Sequence, residues 1–486
     1  MKKKLYILFS IIISVFCISI VKIELQNDTF SAIKIGDYII NNGLDFTEHF
    51  NFNPDLSFHN ARWLFNVIIA FIYNSFGFVG IYIFTCLLSI ILGLLIFNII
   101  YKMNKSLIIS LVITILSMAY ASGYITARAQ LISYILFLLE IYFIEKLLRK
   151  NKIRYCIYIL IISILIANIH TTVWPITLVL FMPYFAEYLL SKTKFIKKSK
   201  RLYSDITSIK LLFITFIITS ISGLVSPLGL LPYTYMFKTM SGISVKFIQE
   251  LERVNIFFDY RALVLFVIYI YLFVYLKNKI KISDLFMVTG LFFLGILAIR
   301  NLVFLIILCT ICLCRQINNA LEDNISKVKI IEDRIYSDKF ILGVIIFYIL
   351  FLGGINYSIN IYNKKFINDT IYPVKASDYI LKNLDTKKMR LYNDFDIGSY
   401  LEYRGIKVFL DSRSEVFCKE FNDTTILEDF YNINYFQDHY KKVFDKYSFT
   451  HILLNKDITL DLYVKNDNDY KLIYQDDYYV LYEKVE

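Results

Sequence analysis

The chain has 486 residues, is 57% hydrophobic and 17% aromatic, and carries a formal net charge of +11. A mean hydropathy of +0.55 is more apolar than a water-soluble core needs, so the expected class is a polytopic membrane protein. The Lys and Arg residues sit in short clusters between apolar runs, which is the pattern of cytoplasmic connectors and argues against nucleic-acid binding.

The first apolar run, 5–23, is long enough to span a bilayer. It follows three lysines and lacks a small-residue cleavage site, so it reads as an uncleaved span with a cytoplasmic N-terminus. A polar loop follows, 24–77, carrying Asp28, Asp37, Asp45, Glu48, His49, Asp55 and His59. A helix is expected over 29–43, with Ile33, Ile35, Tyr38, Ile39 and Ile40 on a lipid-facing side. Asp28 stands just ahead of it, as a cap or as a carboxylate held at the membrane face. Asp37 lies nine residues on, roughly on the opposite side, so the two are not an obvious acid/base pair. The stretch 63–76 is apolar but short, and reads as an interfacial helix.

Further spans are expected at 78–101, 106–121, 131–148, 154–171, 174–191, 209–226, 261–277, 283–299, 301–316 and 339–357. With 63–76 outside the count, the total is about eleven, and the basic clusters at 102–105, 146–154, 192–201 and 277–281 share the side of the N-terminal lysines. The opposite, outer face then collects Arg128 and Gln130, His170, the loop 227–260 with Lys246, Glu250 and Arg253, and Arg300. Cations on that side run against the positive-inside trend, and Arg128, Arg300, Lys246 and Arg253 read either as a phosphate-binding rim or as solvated turns. Glu250 and Glu252 are placed to pair with Arg253. His170 reads either as a structural interfacial histidine or as part of that rim.

After about residue 365 the chain turns polar. Strands are expected at 407–411 and 451–454, a terminal hairpin over 469–482, and helices near 374–384 and 424–446. The domain division is therefore 1–360, transmembrane, with 24–77 as its outer first loop, and 361–486, a small α/β extracytoplasmic domain. Seven cysteines, six of them in or beside apolar runs, do not make a disulfide framework, and Cys309, Cys312 and Cys314 read as packing residues. No phosphate-binding glycine loop, nucleophile elbow or zinc-protease motif occurs, and a divalent cation has no clear ligand set.

The run Asp28 to Gly43, with Gly36 between, resembles the acidic first-loop motif of bacterial GT-C-type glycosyltransferases. The resemblance continues through Ala61–Trp63, Phe76–Gly77, Arg128–Gln130, Asn168–His170, Ser226–Gly229, Arg300–Asn301, Asn393–Tyr400 and Phe409–Arg413. It departs where the family often has a second acid: this chain has Gln26-Asn27-Asp28, with Phe30-Ser31-Ala32 in place of the aromatic pair and His. The resemblance implies a GT-C-like fold and transfer of a sugar from a polyprenyl-phosphate carrier to an extracytoplasmic acceptor. It makes Asp28 the general base and Arg128, His170 and Arg300 the donor-phosphate ligands, with Asp37, His59, Gln130, Glu250 and Arg253 as additional candidates. Membrane lipids and the lipid-linked sugar are the implied partners. A non-catalytic envelope scaffold and a lipid or solute transporter are the competing expectations.

Overall fold

The computed structural model describes all residues except 1, 243–244, 246–247, 256–259, 277, 322–324, 436–438 and 486. Lys246, expected in the basic rim, therefore lies outside the described residues. The chain is mostly helical and opens with α1 (Lys2–Ser19), α2 (Asn27–Asn42), α3 (Trp63–Asn104), α4 (Leu107–Ala121), α5 (Ala129–Lys150) and α6 (Arg154–Ile169). It divides into two compact units: 1–22, 82–233 and 249–363 form the helical unit, and 23–81, 234–248 and 364–486 form the second. The loop expected to belong with the spans thus shares a unit with the C-terminal residues.

All eleven expected apolar segments are helical, but four helices have the length and composition to cross a bilayer: Trp63–Asn104, Leu107–Tyr124, Thr171–Ser191 and Lys339–Asn360. A fifth results if Ile299–Leu308 and Thr310–Leu321, bent by 47°, count as one. The remaining segments fall short for physical reasons. Arg154–Ile169, Lys210–Ser222, Ala262–Tyr275 and Ile282–Leu297 are apolar but short. α1 opens on lysines, and α5 contains Glu140, Glu145 and Lys146. Gly77, at φ +63°, interrupts α3 where the interfacial helix was expected to end. The stretch near 317–338, expected as a loop, is helical over Thr310–Leu321 and Ile325–Ser337.

The helical unit has one continuous apolar core, to which Phe9, Phe16, Phe97, Phe137, Trp174 and the run Val303–Cys309 contribute. Cys309, Cys312 and Cys314 are buried free thiols in that core. Lys339–Asn360 buries only Ile349 and Gly353 and presents Phe340, Phe347 and Phe351 outward. Two connectors pair as short parallel strands, β1 (Leu202–Tyr203) against β2 (Ile280–Lys281). Glu187 staples that pair: it is buried and accepts hydrogen bonds from Ser204 Oγ, Asp205 N–H and Ser283 N–H.

The second unit is built on a four-stranded sheet in the order β3 (Leu391–Tyr392), β4 (His451–Asn455), β6 (Tyr479–Lys484), β5 (Tyr470–Gln475). β3 and β4 are parallel, and the β5–β6 hairpin is antiparallel as the alternation implies. Residues 407–411 are not a strand. Only the isolated bridge of Val408 with Asn51 forms, because the Asn393 side chain takes the backbone groups a neighbouring strand would use: it donates to Leu410 O and accepts from Phe409 N–H. Ile33 and Ile35 of α2 are buried, Ile35 within the core of this unit, and only Ile40 of the expected lipid-facing side is largely exposed. A Cβ on Gly36 would stand 2.0 Å from the Asn66 carbonyl oxygen, so only glycine fits where α2 meets the start of α3.

Candidate functional site

In the second unit, α2 begins at Asn27, so Asp28 lies inside its first turn and is not ahead of it. An acidic side chain there is favoured by the helix dipole. The N-cap residue Gln26 makes no side-chain capping bond, and Asn27 anchors the helix start by donating to Phe395 O and accepting from Tyr400 N–H. The Asp28 carboxylate faces Arg62 Nη1 at 3.5 Å, with 14% of its side chain exposed and 21% of that of Arg62. Phe30 packs edge-on against Phe78, Tyr372 and Tyr400, which fixes the turn of helix that carries Asp28.

Asp37 is elsewhere. It accepts a hydrogen bond from Asn74 and lines a separate open cavity of about 340 Å³ with Lys34, Tyr38, Asn41, His49 and Glu402. His59 packs edge-on to Phe421, and burial, then the Lys238 charge, lowers its pKa, favouring the neutral ring. Neither residue forms a constellation with Asp28 among the described contacts.

In the helical unit the remaining candidates gather at the N-terminal end of α5. Arg128 is the extended residue before the helix, and its guanidinium holds both Glu250 oxygens at 2.7 and 3.0 Å. Glu250 thus pairs with Arg128, whereas Arg253 was its expected partner; Arg253 is exposed. Gln130 sits in the first turn with its Oε1 buried and without a hydrogen-bond partner among the described residues. One turn on, Ser133 Oγ lies 2.8 Å from Nδ1 of the buried His170. Arg128, Glu250 and Arg300 all lie within electrostatic range of the Tyr134 hydroxyl. Tyr124 donates to Ile299 O, tying the turn before α5 to the turn that bears Arg300. This end therefore presents two arginines, an orphaned amide oxygen and a histidine on one helix terminus, an arrangement suited to a phosphate-bearing ligand.

The sequence reading passed over a third cluster, in the second unit. Arg413 is fully buried and pairs with Glu48 at 2.6 Å, Glu402 at 2.9 Å and Asp411 at 2.5 Å, all of them buried. Its guanidinium also stacks over Phe50 and Phe58. Burial pushes the Glu402 carboxyl well above its ordinary range; Arg413 opposes this, while the Asp411 and Glu48 charges add to it. Glu402 therefore holds a proton, and the cluster is a neutral acid, two further carboxyl groups and one guanidinium. Buried Glu415 is also raised, by burial first, against the lowering charge of Arg62. Glu48 and Arg413 both stand in the sequence reading, yet nothing there pairs two residues 365 positions apart.

Among the described residues, no group of three or more His, Cys, Asp or Glu side chains is arranged to hold a metal ion. No protein-family model and no curated protein matches the chain.

Proposed function

We propose that this chain is a membrane glycosyltransferase of the GT-C type, moving a sugar from a polyprenyl-phosphate donor to an extracytoplasmic acceptor such as an envelope glycan, lipid or protein. The observation that carries this reading is the α5 N-terminal end, where Arg128, Arg300, His170 and Gln130 collect around Tyr134. Such a site suits an anionic leaving group, because sugar transfer from a phosphate carrier develops charge on that phosphate. Asp28 is the base in this reading: it takes the proton of the acceptor hydroxyl as the new glycosidic bond forms and the sugar–phosphate bond breaks. Arg62 orients the carboxylate. The reading assigns no step to a metal.

The reading further takes all eleven apolar segments as spans, the N-terminus as cytoplasmic and residues 361–486 as extracytoplasmic. Apolar side chains turned outward along Lys339–Asn360 support a lipid environment, since a continuous exposed apolar face of that size is costly in water.

Two observations favour competing readings. The Asp28–Arg62 ion pair is also what a purely structural carboxylate makes, which favours a scaffold. Glu140 is fully buried in α5 with neither oxygen hydrogen-bonded among the described residues, which favours a transporter that moves a proton or ion.

The test is transfer from radiolabelled polyprenyl-phosphate sugars to envelope acceptors by the reconstituted protein. Loss of the base in Asp28→Asn lowers turnover about 10²–10⁴-fold, with donor binding retained. Arg300→Ala weakens donor binding. Donor binding absent from the folded wild type across several carriers would sink the reading, and so would turnover unchanged in Asp28→Asn.

A further inference from the structure

The opposite, C-terminal end of α5 carries a second polar cavity, of about 280 Å³. Its walls come from three of the basic connectors and from Thr310–Leu321: Lys102 from the end of α3, Lys146 and Arg149 from the end of α5, Asp205 from the connector beside β1, and Arg315. At the floor the charges are already matched. Arg315 is buried and pairs with Glu145 and with Asp284, the latter at 2.7 Å. Glu145 also takes Arg149 at 3.0 Å, and Lys281 takes Asp205 at 2.6 Å, with Glu187 at 4.0 Å.

The mouth is different. Lys102 and Lys146 both place their ammonium groups by the ring of Tyr142, at 5.9 and 5.2 Å from its centroid. Among the described residues neither makes an ion pair. Two like charges converging on one aromatic ring repel each other unless an anion joins them. The ring positions them without neutralising them. The cavity is at the small end for ligand pockets, the size of a headgroup and smaller than a sugar nucleotide needs.

We propose that this cavity binds a phosphate ester through Lys102 and Lys146, with Arg149 at its edge, and that the ester is the headgroup of an anionic membrane lipid. The matched ion pairs beneath hold the lysines in place and shape the cavity. The lipid source rests on the membrane reading above; the phosphate chemistry does not. The site is distinct from the α5 N-terminal end and is not part of sugar transfer.

The test is equilibrium binding of a fluorescent-tailed phosphatidylglycerol to the full-length protein in neutral detergent, beside phosphatidylcholine with the same tail and soluble glycerol phosphate. Phosphatidylglycerol binds and phosphatidylcholine does not. Lys102→Gln/Lys146→Gln weakens binding about 30-fold, from the worth of a lysine beside an anionic headgroup. Lys150→Gln/Lys152→Gln, which removes two exposed connector cations outside the cavity, leaves it within about twofold. Glycerol phosphate binding with the same lysine dependence would support the phosphate site and make a soluble ester its source. Equal losses in the two double variants would mean a diffuse basic surface and overturn the proposal. Equal binding of the two lipids, with no binding of glycerol phosphate, would overturn it as well.

Discussion

Removing the guanidinium of Arg413 tests the charge accounting of the second unit. Arg413→Met keeps the length of the side chain and its contact with Phe50 and Phe58, but leaves Glu48, Asp411 and Glu402 buried together without a cation. Breaking one buried ion pair costs about 3–5 kcal/mol. Forcing an ordinary carboxyl, with a pKa near 4, to protonate at pH 7 costs about 4 kcal/mol. Two such groups come to roughly 8 kcal/mol, within the whole stability of a typical domain, about 5–15 kcal/mol. Arg413→Met therefore unfolds this unit at neutral pH or leaves it marginal. Glu402 separates this account from a generic loss of packing. Its carboxyl already holds a proton, so Glu402→Gln removes no charge and costs at most about 1 kcal/mol, whereas Glu48→Gln breaks a buried pair and costs several-fold more. Hydrogen exchange of the full-length protein, read on peptides covering 44–60 and 398–417, reports both. Protection is lost in Arg413→Met, reduced in Glu48→Gln and nearly unchanged in Glu402→Gln. If Glu402→Gln is as damaging as Glu48→Gln, the proton is not on Glu402 and the reasoning fails.

Four further outcomes follow from the same geometry. Gly36→Ala drives a methyl group into the Asn66 carbonyl and costs about 1–3 kcal/mol or more; a thermal midpoint equal to wild type would mean that α2 and the start of α3 separate freely. Burial, with the Asp396 charge adding to it, pushes the Asp394 carboxyl up to about 6. The folded state then holds a proton the unfolded state has lost, so this contribution to stability declines as pH rises from about 4 to about 6; denaturant midpoints across that range show the slope in wild type and not in Asp394→Asn. Arg315→Met leaves Glu145 and Asp284 unpaired inside the helical unit and reduces the yield of folded protein, whereas Arg149→Met, at the exposed edge of the same network, does not; equal yields would mean the buried pairs are dispensable. Reporter fusions after residues 198 and 486 fall on opposite sides of the membrane in the proposed topology, and the same side for both would remove it.

What the sequence makes legible here is whatever one segment decides alone. Apolar runs locate every long helix, because a buried or lipid-facing helix is apolar along its own length. The β5–β6 hairpin is local in the same sense. The errors lie where a distant group decides. The alternation at 407–411 is real, and Val408, Phe409 and Leu410 are buried, yet the Asn393 side chain takes the place of a partner strand. Ile33 and Ile35 look like lipid contacts until the core they join is known. Arg128, Glu250, His170 and Arg300 carry individual signals, but only the fold of α5 and the tie from Tyr124 to Ile299 gather them at one end. The break in composition near 365 marks where the chain stops being apolar, and it does not mark where a unit begins. Leu56 and Phe58 share a core with Val416 and Phe417, Asn53 donates to Phe409 O, Ser57 donates to Asn422, and Glu48 supplies the carboxylate that Arg413 needs. A polar loop dense in Asp, Glu and His reads as an active site when its partners are unknown. Here most of its polarity is spent on folding: Glu48 on Arg413, and Asp45 and His49 on each other and on Tyr38. Asp28 is set apart from them because its Arg62 pair leaves part of the carboxylate side chain open to solvent, and that accessibility keeps it the candidate base.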